Sequence, residues 1–428
     1  ITGKIFLKNR VYIKFYDIEI GRHINSSTNN KFETYTSKSI FFIEFIKNLY
    51  RAGINLETCK WYLKNKKIKA VYIDHCTYLN GILYSYFGKH NIPIYTNNYP
   101  YSIFMIDFRK RKNNRLVNYE NVIKIGLKKK LNVFQKKKSK KILKELTFKK
   151  NYLPWMKSIK FENLNKTNYK NFNYLIYAHS FTDGQLVYGN DGFENSLDWL
   201  DFTLKTLEKN NKKVLIKAHP NFYEGSYGIL SYWDKKIFSQ ITDKYKNNNN
   251  FLFIKKPIFN YELLNKINNK CILVTHHGTV ILEGAYLNFK TISSQCTFYD
   301  DTFKHAVTWK NKNEYLQLLK KKFENLPNTK KDDLYSLVYN LFYDKFSYYS
   351  SNSWQKIIAK YLKITPEELT NKIAIFSGMK KNEIEEKKYF FKKKIGNNSK
   401  KIINKLSLNI TEIELNKKNL KNYKILEN

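Results

Sequence analysis

The sequence predicts an α/β protein in two parts, followed by a helical, lysine-rich extension. Three observations predict it. Short apolar runs alternate with segments of helical spacing, first within the opening 165 residues and again from residue 172 to residue 293. Clusters of His, Gly, Thr and Asp follow the apolar runs directly, at the strand ends where open α/β sheets hold ligands. Apolar residues make up 42% of the 428 residues, enough for real cores despite a formal net charge of +41. Domains commonly hold ~100–200 residues, so the expected division is 1–165, 166–345 and an extension over 346–428.

In the first part, residues 11–15 read as a strand running into a loop with Gly21, Arg22 and His23. Residues 38–52 have helical spacing. Residues 70–74 (AVYID) form a short apolar strand ending in a polar loop, residues 78–89 a helix, and residues 93–96 (PIYT) the next strand. Strand, helix and strand within ~30 residues make a parallel βαβ unit. Residues 108–150, dominated by Lys and Asn, read as helix and loop over the surface.

The second part repeats this grammar. Residues 174–178 (YLIYA) are a buried strand, and 179–192 a loop rich in Ser, Thr, Asp and Gly. Leu197, Leu200, Phe202, Leu204 and Leu207 recur at helical spacing. Residues 213–217 (KVLIK) form a strand ending at Ala218, His219 and Pro220. A strand at 251–254, a short helix at 261–267 and a strand at 271–275 (CILVT) follow. A tight turn at 276–279 leads into a helix at 280–287 and a strand at 291–293. Repeated strand, loop and helix predict a doubly wound, Rossmann-like sheet. Beyond residue 310 the spacing is helical, at 313–323, 332–343 and 353–362. Pro366 suits the first position of a further helix, and Lys- and Asn-rich helical stretches follow it.

Chemistry is expected at the strand ends. At 276–285 (HHGTVILEGA) an apolar strand meets a small-residue turn that opens a helix, a geometry that aims backbone amides and a positive helix end at one spot. There Gly278 allows close approach of an anion, His277 lies in the turn, and Thr279 is placed to cap the helix. Glu283, four residues on, is placed to bind the hydroxyls of a ribose; an ordinary capped turn with a solvated Glu283 is the plain alternative. Lys217 and His219 end the preceding strand of the expected site, where they would neutralise a leaving phosphate. The two strands finishing at 217 and 275 are expected to be neighbours that share one anion pocket. His179 and Asp183 follow the first strand of this part, either to hold a diphosphate or to cap the next helix. In the first part, Asp74 and His75 follow a strand, as a general base toward an acceptor hydroxyl or as a helix cap. Arg22 and His23 are weaker candidates for acceptor binding, against a solvated basic loop.

The lysine excess accompanies Asn, Ile, Tyr and Phe, all with A/T-rich codons, and reads first as genomic base composition. It still favours anionic donors and an anionic membrane surface. Cys59, Cys76, Cys271 and Cys296 form no CxxC pair, so neither a zinc site nor a disulfide framework is expected. No apolar run reaches the ~18–20 residues of a membrane span, and no signal peptide pattern stands at Ile1. A cytoplasmic protein, peripheral at the inner face of the cell membrane, is the expectation.

HSFTDG (179–184), Asp198 and Trp199, KAHPN (217–221) and HHGTVILEGAYLNFKTI (276–292) together resemble the bacterial capsule and surface-polysaccharide biosynthesis proteins. The resemblance spans about residues 172–320. It implies a glycosyltransferase fold of the GT-B type, with two Rossmann-like domains facing a central cleft, acceptor on the N-terminal side and nucleotide-activated donor on the other. Donor contacts would fall on His219, His277, Gly278, Thr279 and Glu283. No cofactor or obligatory metal is implied; Asp300 and Asp301 are adjacent, not an Asp-x-Asp. The expected partners are a nucleotide-sugar donor and a glycan or lipid-linked glycan acceptor, with no nucleic acid. The expected function is sugar transfer to a growing capsular or surface polysaccharide. A polyol-phosphate transferase or nucleotide-sugar epimerase on the same fold, and a basic non-catalytic nucleic-acid-binding protein, are the alternatives.

Overall fold

The computed structural model describes residues 13–29, 37–68, 71–73, 78–92, 94–98, 102–106, 130–150, 159–165, 167–183, 191–222, 229–295 and 303–343. Asp74, His75 and the extension beyond 343 lie outside these residues.

The first part opens on a hairpin of β1 (Lys14–Phe15) and β2 (Ile18–Glu19). Its two-residue loop, Tyr16 and Asp17, has φ of 50° and 55°. That is the mirror-image turn that matches strand twist, usually made by Asn-Gly. Two helices follow, α1 (Gly21–Thr28) and α2 (Lys38–Asn65). Gly21, Arg22 and His23 are therefore the first turn of a helix, not a loop. Helical spacing expected over 38–52 continues to Asn65, because Leu56 and Cys59 keep the buried face going. Then β3 (Val71–Ile73), α3 (Asn80–Lys89) and β4 (Ile94–Asn98) make the expected βαβ unit, with β3 and β4 parallel; β5 (Ser102–Ile106) returns antiparallel to β4. α4 (Val133–Phe148) begins with a capping box, Asn132 and Gln135 exchanging side-chain and backbone bonds at 2.9 Å each.

The second part contains β6 (Tyr174–Tyr177), α5 (Ser196–Lys209), β7 (Val214–Lys217), α6 (Ile229–Lys244), β8 (Phe251–Ile254), α7 (Asn260–Leu264), β9 (Ile272–Thr275), α8 (Val280–Tyr286), β10 (Thr291–Ser294), β11 (Val307–Trp309), α9 (Lys312–Lys320) and α10 (Lys331–Tyr343). The strands form one six-stranded sheet, every pair parallel, in the order β11-β10-β9-β6-β7-β8. The chain starts in the middle at β6 and winds outward through β7 and β8. It then returns to β9 beside β6 and winds the other way. This is doubly wound Rossmann order, and its reversal between β6 and β9 opens a crevice beyond the C-terminal strand ends. The α/β expectation holds. One detail is corrected: the strands ending at 217 and 275 are not neighbours, since β6 lies between them. α6 and β11 were not expected from the sequence.

Both sheet faces are covered, as parallel sheets require. Ile176, Ile216 and Val274 point to the side of α5, α6 and α9. Leu175, Leu215 and Leu273 point to the other side, with Leu263, Leu264 and Phe289. Gly284 of α8 allows the helix to lie close on this face: a Cβ there would sit 2.4 Å from Leu273 Cδ1. The outer side of α8 adds Leu282 and Ala285 to a core shared with α2, α4 and α10.

Candidate functional site

The register of the central strands sets the site. Tyr177 pairs with Lys217 on one side and with Thr275 on the other, so three adjacent strands end level. Two residues beyond each of these ends stands a histidine: His179, His219 and His277. The His179 ring lies 5.5 Å from that of His219 and 5.2 Å from that of His277, centroid to centroid. The three imidazoles form a row across the topological switch point, with His179 in the middle.

The electrostatics follow from burial. His219 is held well below the usual imidazole range by desolvation, then by His179 and Lys217 nearby. His179 is lowered chiefly by desolvation, against the pull of Asp183. His179 Nδ1 lies 2.9 Å from Ser180 O, which can only accept, so Nδ1 carries the proton and Nε2 presents a lone pair. The lowered proton affinity of His179 and His219 favours their neutral forms.

Beneath the row is a buried polar group. Lys217 is 5% exposed, and burial pulls its ammonium down to about 8 while Glu283 pulls it up. Glu283 is raised to about 7 by burial, opposed by Asn260 and Lys217. Asn260 Nδ2 donates to Glu283 Oε2 at 2.7 Å, and Tyr177 donates its hydroxyl to Asn260 Oδ1 at 2.5 Å. Lys217 is therefore not an exposed contact of the crevice. Gly278 and Thr279 stand beside His277 in the turn. Thr279 corrects an expectation: its backbone is already helical and its side chain makes no capping bond.

The adjacent pair His276 and His277 divides between core and crevice. His276 is buried, stacked on Trp199 with ring centroids 5.4 Å apart. Its Nε2 lies 2.8 Å from Asp191 Oδ2, and Ser196 Oγ is 3.3 Å from its Nδ1. Burial alone would raise Asp191, but His276, the Ser294 hydroxyl and the Phe193 amide hold it below the usual carboxylate range.

Asp234 on α6 is the residue that sequence reasoning missed. It accepts from Ser180 Oγ at 2.6 Å, Phe181 N at 2.9 Å, Thr182 N at 3.0 Å and Thr182 Oγ1 at 3.1 Å. One carboxylate thus shapes the whole segment after His179. The signal was present: Trp233, Ile237, Phe238 and Ile241 recur at helical spacing around it.

Asp183 is exposed and accepts from the Tyr78 hydroxyl at 3.0 Å. Tyr78 precedes α3, so this bond carries the first part to the edge of the row. Arg22 and His23 do not reach the site's surface. Both are buried in α1, with His23 Nε2 at 3.4 Å from Ser85 Oγ of α3, because their helix packs between α2 and α3. Among the described residues no group of His, Cys, Asp and Glu has the arrangement of a metal site.

Fold and site together define an open, doubly wound α/β protein with an imidazole-lined crevice at its switch point. No protein-family model matches the chain, and no curated protein matches it. Among solved structures it is similar to Thermosulfurimonas dismutans KpsC, a beta Kdo 2,4 transferase, at 12% identity and a TM-score of 0.39, covering 64% of this chain and 78% of that one. It is also similar to Methanocaldococcus jannaschii UDP-GlcNAc 2-epimerase in complex with UDP-GlcNAc and UDP, at 16% identity and a TM-score of 0.28, covering 67% of this chain and 78% of that one. Both are distant likenesses, and neither assigns an activity to this chain.

Proposed function

We propose that the chain is a glycosyltransferase that binds a nucleotide-activated sugar by its phosphates at the row of His179, His219 and His277, and transfers the sugar to a growing capsular or surface glycan. The observation that carries this reading is the level ending of β6, β7 and β9, which sets three imidazoles side by side where doubly wound sheets bind ligands.

The chemistry follows from the depressed imidazoles. A bound phosphate raises their proton affinity, so they take up protons as the anion enters. They then offset the charge that grows on the leaving phosphate as the glycosidic bond to the donor breaks. Lys217 adds a positive field from below, and the buried Glu283, held by Asn260, helps keep that ammonium charged. Gly278 and Thr279 supply the turn along which the donor lies. Asp183 closes the row on the acceptor side through Tyr78. Asp74 and His75, which follow β3, are the acceptor-side candidates for the base that takes the hydroxyl proton. Arg22 and His23 drop out of the acceptor site because they are buried.

Thermal-shift and calorimetric screening of the full chain against nucleoside mono- and diphosphates and nucleotide sugars tests this. The expected result is binding of a nucleoside diphosphate that His219→Ala weakens at least about tenfold, the scale of losing a hydrogen bond to a charged group, and that Glu283→Ala weakens because Lys217 loses the carboxylate that keeps it charged. No nucleotide binding, or binding indifferent to both variants, refutes the reading. With a donor in hand, product analysis separates transfer to a glycan from epimerisation of the donor sugar.

A further inference from the structure

α2 is apolar on two opposite faces. Phe41, Phe45, Ala52, Leu56 and Cys59 are buried against the rest of the first part. On the opposite side Ile43, Ile46, Tyr50, Ile54 and Trp61 share one stripe and stand in solvent, with Tyr50 72% exposed, Trp61 53% and Ile43 52%. At ~1.5 Å rise per residue the stripe from Ile43 to Trp61 is about 27 Å long. A solvent-facing helix ordinarily keeps its outer side polar. Glu57 interrupts the stripe between Ile54 and Trp61, but exposed apolar surface of this extent marks a contact with something else.

The β1–β2 hairpin widens the patch. Phe15 and Tyr16 at its tip are exposed, and the tip is tied to α2: Lys60 Nζ donates to the Tyr16 hydroxyl at 3.3 Å, and that hydroxyl donates to Glu57. Tyr16 sits at φ 50° in the turn, and Lys60 Nζ lies over its ring, 4.7 Å from the centroid.

The flanks are basic. Lys47 and Arg51 line one side of the stripe, Lys60 and Lys64 the other, and Lys66 and Lys67 follow the helix end; all are exposed. Glu44 pairs with Lys47 and Glu57 with Lys60. An apolar stripe with aromatics, edged by Lys and Arg, is the pattern of a helix lying in a bilayer interface, held by apolar burial and by attraction to anionic lipid. No described helix is long and apolar enough to cross a membrane, so the contact is with the surface.

We propose that the outer face of α2, with the tip of the β1–β2 hairpin, is a docking face for an anionic lipid bilayer. A second copy of the chain fits the same face poorly. An isologous contact would bring the basic flanks of two molecules, each of formal charge +41, against one another. The docking face stands on its own observations and does not depend on the nucleotide reading.

The test uses the full chain and vesicles of phosphatidylcholine alone or mixed with phosphatidylglycerol, in a sedimentation assay. Binding is expected only with phosphatidylglycerol, weakening as salt rises. Tyr50→Asp with Ile54→Asp is expected to reduce it at least about tenfold, since a buried charge replaces buried apolar surface. Both positions are exposed, so the circular dichroism melt stays that of the parent. Trp61→Phe is expected to remove most of the lipid-induced blue shift in tryptophan emission. A photo-crosslinking residue at Tyr50 should capture lipid. No vesicle binding, binding unchanged in the double variant, or a Tyr50 adduct with residues 344–428 or with a second copy each overturns the proposal.

Discussion

Asp234 offers the sharpest test of how the site is built. The carboxylate is fully buried and receives two backbone amides and two hydroxyls from residues 180–182. Asp234→Ala removes every acceptor at once. The hydroxyls of Ser180 and Thr182 can rotate toward other partners, but the amides of Phe181 and Thr182 cannot. Each orphaned buried donor costs about 1–3 kcal/mol, so the alanine variant is expected to lose roughly 4 kcal/mol of stability. Asp234→Asn keeps Oδ1, which serves three of the four donors, and turns an amide toward Ser180 Oγ. Its cost at neutral pH is expected to stay within about 1 kcal/mol. The acid side provides a second reading. Burial raises the Asp234 carboxyl to about 6, against the lowering pull of Ser180 and the loop amides, from an ordinary 3.8. The folded state therefore binds more protons than the unfolded state between these values, and stability falls as pH rises through them. The gap corresponds to roughly 3 kcal/mol for this group. Asparagine does not titrate. Chemical denaturation of parent and Asp234→Asn at several pH values should show the parent gaining on the variant as pH falls through that window. An alanine variant within about 1 kcal/mol of the parent, or a parent that gains on the asparagine variant with rising pH, refutes the reasoning.

Three further outcomes are expected. His276→Ala should cost about 3–5 kcal/mol in denaturant, because Asp191 stays buried without its partner, whereas His277→Ala should leave stability within about 1 kcal/mol and lose nucleotide binding in calorimetry. Phosphate ligands should bind more tightly as pH falls, since the anion raises the lowered proton affinities of His179 and His219; isothermal calorimetry in buffers of different ionisation enthalpy should register proton uptake on binding. Gly192→Ala should cost roughly 2 kcal/mol or more in a thermal melt, because φ is 98° there and a Cβ would meet the Lys312 backbone nitrogen at 2.6 Å.

Much of the second part was legible in the sequence because its signals are local. YLIY, VLIK and ILVT are short apolar runs buried on both faces, and each is followed by small or polar residues, with strand breakers at Pro220 and Gly278. The same holds for α5, whose leucines keep helical period. α6 was missed although its spacing is as regular, and with it Asp234. Arg22 and His23 read as a loop after the run at 11–15, whereas Gly21 opens a helix whose polar residues are buried by α2 and α3.

By itself the sequence determined which residues end strands and therefore which imidazoles stand at strand ends. It could not determine strand order, since parallel partners are joined by long crossovers that leave no local trace of adjacency. Only the tertiary structure decided that β6 lies between β7 and β9, making His179 the centre of the row. It also decided that His276 belongs to the core while His277, the next residue, faces the crevice. That division depends on Asp191 and Trp199, distant in sequence, packing against one ring and not the other.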